Sequence, residues 1–289
     1  MEFFQALIFS PQIERLNVKK RDKLKKKGVD SMKKTIIKCF LLLLVALTLM
    51  LQISANCGEL HWYCTRQKAH RQAIAASELR FVEEYGSYYI DHTHNEASDE
   101  KVIYLTFDAG YENGNVEKIL NTLQETQTPA AFFVLKHLVT ANTALVQRMV
   151  SDGHLVCNHT AHHPNLAMAS ADQIAKELRE LETVCQENGI VTAPYFRPPE
   201  GSFSKEMLQH VQKLGYKTIF WSFAYADWDN AKQPSQDHAI RCIMDNVHNG
   251  AVLLLHPTSA TNAAVLPTVI KSLKEEGYRF GTLKELCGD

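Results

Sequence analysis

Side chains capable of catalysis recur along this chain directly after short apolar runs. Asp108 follows the first such run, and a histidine, an arginine, an Asp-Trp pair and a second histidine follow later ones. These later residues are His159, Arg197, Asp227 with Trp228, and His256. Singly, each has an ordinary explanation as a turn former, a packed histidine or a surface ion pair. Carboxyl ends of parallel strands share one edge, however, so their joint placement predicts a shared pocket.

The segment His159-Thr160-Ala161-His162-His163 has the spacing of a metal site. His159 and His163 stand four residues apart, and one turn of helix would put both imidazoles on one face, within reach of one divalent ion. His162 would point elsewhere. Imidazole together with oxygen ligands suits Zn, Co, Ni or Mn.

The segment Arg197-Pro198-Pro199-Glu200-Gly201 is stiff, because two prolines fix φ and remove two N–H donors. The amide of Glu200 is therefore the first free donor after Arg197. Held in a pocket, it can donate to a developing oxyanion, and Arg197 can keep Asp108 ionised and oriented. The ordinary alternative for this segment is a simple turn.

The elements that would position these groups alternate between apolar runs and amphipathic stretches of helical spacing. Six runs suit buried parallel strands: Val102 to Phe107, Ala130 to Leu135, Leu155 to Asn158, Tyr195 to Phe196, Thr218 to Trp221 and Ala251 to Leu255. The alternation predicts one α/β domain with a parallel sheet, either open and doubly wound or closed into a barrel. The sequence contains neither GxGxxG nor a Walker loop, which disfavours nucleotide binding.

Composition supports a globular protein: 45% of the 289 residues are hydrophobic, 22% are charged, and the net charge is -1. Nothing in this balance favours a nucleic-acid partner. Lysines crowd residues 1–38, and an apolar run from Cys39 to Leu51 follows, then the small residues Ser54 and Ala55. This pattern predicts a signal peptide cleaved near Ala55, in preference to a retained membrane anchor.

We therefore expect three regions. Residues 1–56 form a basic stretch with a signal peptide or membrane anchor, which would be the only membrane contact. Residues 57–100 form an extension that packs on the barrel, with His92 and His94 in a solvated linker, and residues 101–289 form the catalytic domain. The protein would then be secreted or membrane-anchored and act outside the cytoplasm. The cysteines beyond Cys39 could form disulfides there, although Cys157 is predicted to be a buried strand thiol.

Five segments, in this order, resemble the sequence motifs of the polysaccharide deacetylases, the NodB-homology enzymes of carbohydrate esterase family 4. They are TFDAGYENG, NHTAHHP, FRPPEGSFS, ADWD and LLLHP. Within that family the GYENG of the first motif, with His61-Trp62 and Tyr88-Tyr89 upstream, is most similar to the delta-lactam-biosynthetic de-N-acetylase branch. Enzymes of that branch act on N-acetylmuramic acid in peptidoglycan. The resemblance implies a distorted (β/α) barrel and metal-assisted hydrolysis of an N-acetyl group.

The resemblance also implies roles for the base and the metal site. Asp108 would be the general base that deprotonates a metal-bound water. His159 and His163 would bind the divalent metal ion, and Arg197 would orient Asp108. Amide hydrolysis requires an activated water of this kind.

The remaining implied roles concern the leaving group and the substrate. Asp227 would tune His256, and His256 would protonate the leaving amine. Trp228 and Leu254 would line the acetyl pocket, and the backbone amide of Glu200 would serve the oxyanion.

Ala109 departs from the family pattern. Most members carry a second Asp there that completes the metal site, and the delta-lactam branch commonly carries Asn. Ala109 supplies no oxygen, so metal affinity should be lower unless Asp108 coordinates or Glu112 turns inward. Two alternatives to a peptidoglycan deacetylase stay open. One is a deacetylase of chitin-like or xylan-like polymers, whose catalytic residues would look the same, and the other, motivated by Ala109, is a non-catalytic glycan-binding protein on this scaffold.

Overall fold

The computed structural model describes residues 32–33, 37–45 and 58–289. Residues 37–45 are helical, and most of the predicted signal segment lies outside the described residues. Within the described ranges, no helix is both long and apolar enough to cross a membrane. The chain divides into two compact units, Met1–Asn56 and Cys57–Asp289. The fold and the candidate site lie in the second unit.

Eight parallel strands form the central sheet of this unit. The strands are β4 (Ser87–Tyr88), β5 (Lys101–Ala109), β6 (Ala131–Val134), β7 (Leu155–Asn158), β8 (Thr192–Phe196), β10 (Lys217–Ile219), β11 (Ala251–Leu255) and β12 (Tyr278–Gly281). Seven follow the order β11-β5-β6-β7-β8-β10-β4, and β12 pairs with the first half of β5. All their pairings are parallel, which suits strands that are buried on both faces.

The sheet curls, and the gap between β10 and β11 is closed by irregular contacts. The N–H of Ser222, just beyond β10, donates to the Val252 carbonyl at 3.0 Å. Residues beyond β4 reach the other end of β11, where Ile90 bridges Ala251. The predicted distorted (β/α) barrel is therefore confirmed, with a seam in place of a full strand pair.

Helices cover the outside of the sheet. They are α1 (Val116–Glu125), α2 (Lys136–Ala141), α3 (Thr143–Ser151), α4 (Ala171–Glu187), α5 (Lys205–Lys213), α6 (Gln236–Met244), α7 (Ala260–Glu275) and α8 (Leu283–Cys287). Strand β5 shows the two faces: Ile103, Leu105 and Phe107 join the core against the helices, whereas Val102 and Tyr104 join the barrel interior. By this alternation Asp108 belongs to the interior face.

The six strands predicted from apolar runs are all present; two have the predicted bounds, and the ends of the other four are shifted by at most three residues. The sequence reasoning missed β4 and β12. It also placed the end of the fifth strand at Trp221, whereas β10 stops at Ile219. Asp227 consequently lies in a loop, several residues beyond the strand.

Residues 58–100 lie against the barrel. Strand β1 (Leu60–His61) pairs antiparallel with β9 (Ser202–Phe203), and Trp62 stacks on Phe220 with centroids 4.5 Å apart. A short ribbon, β2 (Cys64–Thr65) with β3 (Ile74–Ala75), and a 3₁₀ helix (Ser77–Tyr85) follow. These contacts place the extension beside the catalytic end of the strands.

The cysteine and histidine predictions have mixed outcomes. None of the six cysteines within the described residues forms a disulfide, and Cys157 is buried as predicted. The predicted solvated linker is wrong for His94, whose ring is only 18% exposed and contacts Asp91 and Glu100. His92 is exposed as expected.

Candidate active site

A cavity of about 700 Å³ opens at the carboxyl ends of the barrel strands. Seven of the nine predicted site residues line it: Asp108, His159, His163, Glu200, Trp228, Leu254 and His256. The other two, Arg197 and Asp227, lie behind the wall, and each binds a lining residue. The volume falls in the range of small-molecule sites. The predicted pocket is thus formed by residues from five separate parts of the chain.

Asp108 is held by the buried guanidinium of Arg197, whose Nη1 donates to Asp108 Oδ1 at 2.7 Å. The other Arg197 donors bind the carbonyls of Ile219 and Phe220 and the hydroxyl of Thr106. The guanidinium also lies 4.1 Å from the centroid of the Phe133 ring. Arg197 is therefore fixed by several groups besides Asp108, so the carboxylate meets a preorganised cation.

The charge state of Asp108 follows from these surroundings. Burial alone would raise its pKa, but the charge and hydrogen bond of Arg197, together with the nearby His159 and His256, outweigh burial and hold the pKa below the usual range. Asp108 is therefore ionised at neutral pH. An ionised, oriented carboxylate with one oxygen free of Arg197 is suited to accept a proton.

His159 and His163 come together, although not on a helix. Residues 159–163 form a bend, and both Thr160 and His163 adopt positive φ, at 74° and 60°. The Thr160 hydroxyl accepts the His163 N–H at 2.9 Å and stabilises the bend. The ring centroids of the two histidines lie 5.0 Å apart. The predicted pairing is present, whereas the helical geometry assumed for it is wrong.

The donor set on this side of the cavity suits a divalent ion bound by few protein ligands. His159 Nδ1 donates to the Arg197 carbonyl at 2.9 Å, which leaves Nε2 free to ligate. Burial lowers the pKa of His159 to about 4, so the ring is neutral and competent as a ligand. Across the described residues, no three His, Cys, Asp or Glu side chains form a metal cluster. Two imidazoles fit, with Asp108 Oδ2 3.6 Å from His159 Nε2.

Two residues could replace the missing ligand at position 109, Asp108 and Glu112. Of these, Asp108 lies beside His159, whereas Glu112 is bound elsewhere. Ala109 is fully buried in the apolar core with Phe107 and does not line the cavity. Glu112 is engaged elsewhere, because its carboxylate accepts the backbone N–H groups of Gly114 and Val116. The expectation of an inward-turning Glu112 therefore finds no support in this conformation.

His256 directly follows β11, the strand that pairs with β5, and is bound to the buried Asp227. His256 Nδ1 donates to Asp227 Oδ1 at 2.7 Å, and the His256 backbone N–H donates to Oδ2 at 2.8 Å. Asn262 adds a third hydrogen bond to Asp227, at 2.6 Å, and in turn accepts from the Tyr225 hydroxyl. Sequence reasoning missed Asn262, whose position in the first turn of α7 resembles an ordinary helix start.

These contacts set the protonation of His256. Burial would lower the pKa of its ring, but the hydrogen bond and negative charge of Asp227 raise it above the usual range. With Nδ1 committed to Asp227, the proton on Nε2 is the one available for transfer. The cavity therefore brings together an imidazole whose protonated form is favoured and an ionised carboxylate, at the ends of two neighbouring strands.

The Glu200 loop relies on unusual backbone geometry. Glu200 has φ 58° and Gly201 has φ 66°, both left-handed. Trp62 fastens the loop, because its backbone N–H donates to the Gly201 carbonyl at 2.9 Å and its indole N–H donates to the Trp221 carbonyl at 2.8 Å. Sequence reasoning did not anticipate this use of Trp62. A Cβ at position 201 would lie 2.7 Å from a ring carbon of Trp221.

Gly201→Ala should therefore lower both stability and activity. The left-handed backbone costs a non-glycine residue about 1–2 kcal/mol, and the clash with Trp221 adds to it. We expect a fall in Tm of about 5 °C, measured by thermal unfolding. Gly153→Ala is the matched control, since Gly153 also has positive φ but open space around it. An equal fall in Tm in both variants would show that Trp221 moves aside without a loss of stability.

Comparison with known proteins agrees with this geometry. The family model for polysaccharide deacetylase matches residues 95–219. The chain is 38% identical over 229 residues to the peptidoglycan-N-acetylmuramic acid deacetylase PdaA of Bacillus subtilis, covering 78% of this chain and 85% of PdaA. The solved PdaA structure, a family 4 carbohydrate esterase, superposes with a TM-score of 0.74 over 79% of this chain and 96% of that one.

Two further relatives widen the comparison. The Listeria monocytogenes peptidoglycan-N-acetylglucosamine deacetylase PgdA is 32% identical over 67% of this chain and 40% of its own length. A family 4 pseudoenzyme from Bacillus anthracis is 28% identical, with a TM-score of 0.63 over 70% of this chain and 68% of that one. The extent of the match to PdaA, together with the cavity and its two charged pairs, decides the family. This chain belongs to the polysaccharide deacetylases of carbohydrate esterase family 4, which are hydrolases acting on amide C–N bonds.

Proposed function

We propose that this protein removes the acetyl group from N-acetylmuramic acid in peptidoglycan. The observation that carries the proposal is the pairing of Asp108 with Arg197 and of His256 with Asp227 in one cavity, at the carboxyl ends of the neighbouring strands β5 and β11. Similarity to PdaA supplies the choice of sugar. The chain acts outside the cytoplasm in this proposal, with residues 1–56 as its signal peptide or membrane anchor.

In this mechanism Asp108 accepts a proton from the attacking water. Arg197 holds the carboxylate in place through Oδ1, so the proton goes to Oδ2. Oxygen of the water bonds to the acetyl carbon, and charge develops on the carbonyl oxygen. The backbone amide of Glu200 stabilises that charge, since a preorganised donor aimed at an oxyanion is worth several kcal/mol.

Collapse of the tetrahedral species breaks the C–N bond. His256 donates its Nε2 proton to the departing nitrogen, because an amine leaves poorly as an anion. Asp227 stabilises the imidazolium before transfer. Trp228, 61% exposed, and the buried Leu254 enclose the acetyl methyl. Acetate and the free amino sugar are the products.

Polysaccharide deacetylases are generally metal-dependent, and His159 with His163 would hold the ion here. When bound by these two imidazoles, a divalent ion would polarise the acetyl carbonyl and make water a better nucleophile. Zn, Co, Ni and Mn all suit the donors. Because the protein supplies two imidazoles and no carboxylate at position 109, we propose that affinity is lower than in relatives with a complete ligand set.

Metal dependence gives a direct prediction. Chelator should lower acetate release, and added Zn or Co should restore it. The double variant His159→Ala with His163→Ala should lose metal binding in equilibrium dialysis, whereas His162→Ala should retain it, since His162 contacts Glu177 and Glu180 instead. Binding retained in the double variant would remove these histidines from the metal site.

Acetate release by the purified protein tests the proposed function itself. The substrates are peptidoglycan from which an amidase has removed the stem peptides, untreated peptidoglycan and chitin oligomers. Release from the muramic acid of peptidoglycan supports the proposal. Release from chitin alone would assign a chitin-type deacetylase. Glycan binding without release from any substrate would assign a binding protein, the outcome that Ala109 makes worth testing.

A further inference from the structure

In the loop after β5, Tyr111 is the side chain that neither belongs to the proposed catalytic groups nor caps α1 nor binds Thr258. Glu112 is not that side chain, because it caps the start of α1 through Gly114 and Val116 at 2.7 and 3.0 Å. A carboxylate there also suits the positive end of the helix dipole. Glu112 thus has a structural role that explains its place in the GYENG segment.

The two asparagines of this loop are likewise accounted for. Asn113 and Asn115 both donate to the carbonyl of Thr258, at 2.9 and 3.0 Å. Thr258 follows His256 by two residues, so these bonds tie the loop after β5 to the loop that carries the proposed acid. The polar side chains around Tyr111 therefore position the two loops relative to each other.

Tyr111 differs from its neighbours because its ring faces the cavity. It is 44% exposed and lines the cavity together with Trp228, which is 61% exposed. Among residues 58–289, only three large aromatics are exposed, Tyr63 being the third, and two of the three stand at this site. Exposed apolar surface gathered at a cavity marks a binding site.

Asn230, in the loop that carries Trp228, binds the side chain of Tyr111. Its Nδ2 donates to the Tyr111 hydroxyl at 2.6 Å, which joins the loop after β5 to the loop carrying Asp227 and Trp228. An aromatic ring whose orientation is fixed loses little conformational entropy when a ligand packs on it. Sugar rings present apolar C–H faces between polar edges, and such faces pack on exposed tyrosine and tryptophan.

We propose that Tyr111, oriented by Asn230, forms a subsite for the sugar next to the one being deacetylated. The ligand class is a glycan of amino sugars at least two units long. The proposal rests on the proposed function, because it assumes that the acetyl group of the neighbouring sugar lies beside Asp108. Tyr111 is a binding residue in this proposal and takes no part in the chemistry.

The test compares chain lengths. The full-length protein is titrated calorimetrically with N-acetylmuramic acid monosaccharide and with a peptide-free peptidoglycan tetrasaccharide, and acetate release is measured on both. Tyr111→Ala should weaken tetrasaccharide binding about 10-fold, in line with loss of one stacking contact, and should raise KM far more than it lowers kcat. The effect on the monosaccharide should be several-fold smaller.

Two controls separate stacking from general disturbance. Tyr111→Phe keeps the ring and should bind the tetrasaccharide within about threefold of wild type, although it loses the hydrogen bond from Asn230. Tyr63→Ala removes an equally exposed tyrosine that binds Glu78 and does not line the cavity. It should change neither binding nor KM. An equal effect of Tyr111→Ala on both chain lengths, or none on either, would overturn the subsite.

The subsite and the proposed function can fail independently of each other in these experiments. Absence of acetate release together with tetrasaccharide binding that depends on Tyr111 overturns the deacetylase and supports the subsite. Acetate release together with tetrasaccharide binding that Tyr111→Ala does not change supports the deacetylase and overturns the subsite.

Discussion

Asp108→Asn is expected to lower kcat for acetate release by at least about 1,000-fold, within the range of contributions from a general base and its charge. Asparagine keeps the shape of the side chain and an oxygen to accept from Arg197, but it cannot take a proton from water. The substitution therefore removes the chemistry with little change in geometry. Acetate release at substrate saturation, by wild type and variant, measures the effect.

The fold should survive this change. Removing one partner of a buried ion pair can cost about 3–5 kcal/mol, and Arg197 is fully buried. Arg197 retains its bonds to Ile219, Phe220 and Thr106, however, which lessens that cost. Thermal unfolding of the variant should still show one cooperative transition.

Asp237→Asn serves as the matched control for Asp108→Asn. Asp237 is exposed at the start of α6 and does not line the cavity. Its replacement should leave kcat within about twofold of wild type, as is usual for surface positions. Near-normal turnover of Asp108→Asn would remove Asp108 from the role of base and favour a base elsewhere in the cavity.

The sequence predicted the sheet well because its strands are buried on both faces. Such strands are uninterrupted apolar runs, and all six predicted runs became strands. Strand β4 was missed because two residues are too few to show a pattern. Strand β12 was missed because Arg279 interrupts it, and this arginine is accommodated by contacts with Glu100 and Glu285 rather than by an apolar face.

The candidate site was predictable to the extent that strand ends converge. That rule places Asp108, His159, Arg197 and His256 at one edge on the amino-acid sequence alone. The rule does not identify residues that form hydrogen bonds to these groups from within a strand or from a helix. Thr106 binds Arg197 from within β5, and Asn262 binds Asp227 from the first turn of α7. Both are ordinary polar residues in sequence, and only the packing of distant segments gives them their partners.

The bend at residues 159–163 shows a different limit. The four-residue spacing of His159 and His163 predicted proximity through a helical turn, and the rings are indeed close. The backbone achieves this with positive φ at Thr160, a β-branched residue for which that conformation is costly. Strain of this kind is retained where the surrounding contacts fix it, and here the Asn158 side chain accepts the Thr160 N–H at 2.9 Å.

Asp227→Asn should both slow the enzyme and shift its pH profile. Asparagine can accept from His256 but carries no charge, so it no longer stabilises the imidazolium. The pKa of His256, raised in wild type by Asp227, should fall. Since His256 must be protonated to donate to the leaving amine, activity is lost as pH rises through that pKa. The alkaline limb of kcat/KM should therefore move to lower pH, and kcat should fall about 100-fold near neutral pH.

The acid limb distinguishes this role from general damage. Activity at low pH is limited by protonation of Asp108, whose pKa is set by burial, Arg197, His159 and His256 and not directly by Asp227. In that pH range His256 is protonated with or without the Asp227 charge, so its effect on Asp108 is unchanged. The acid limb should accordingly stay in place while the alkaline limb moves. A variant with both limbs unchanged but lower kcat would mean that Asp227 only supports the loop. A shift of the alkaline limb to higher pH would contradict the assignment of His256 as the acid, because removal of a neighbouring negative charge cannot stabilise an imidazolium.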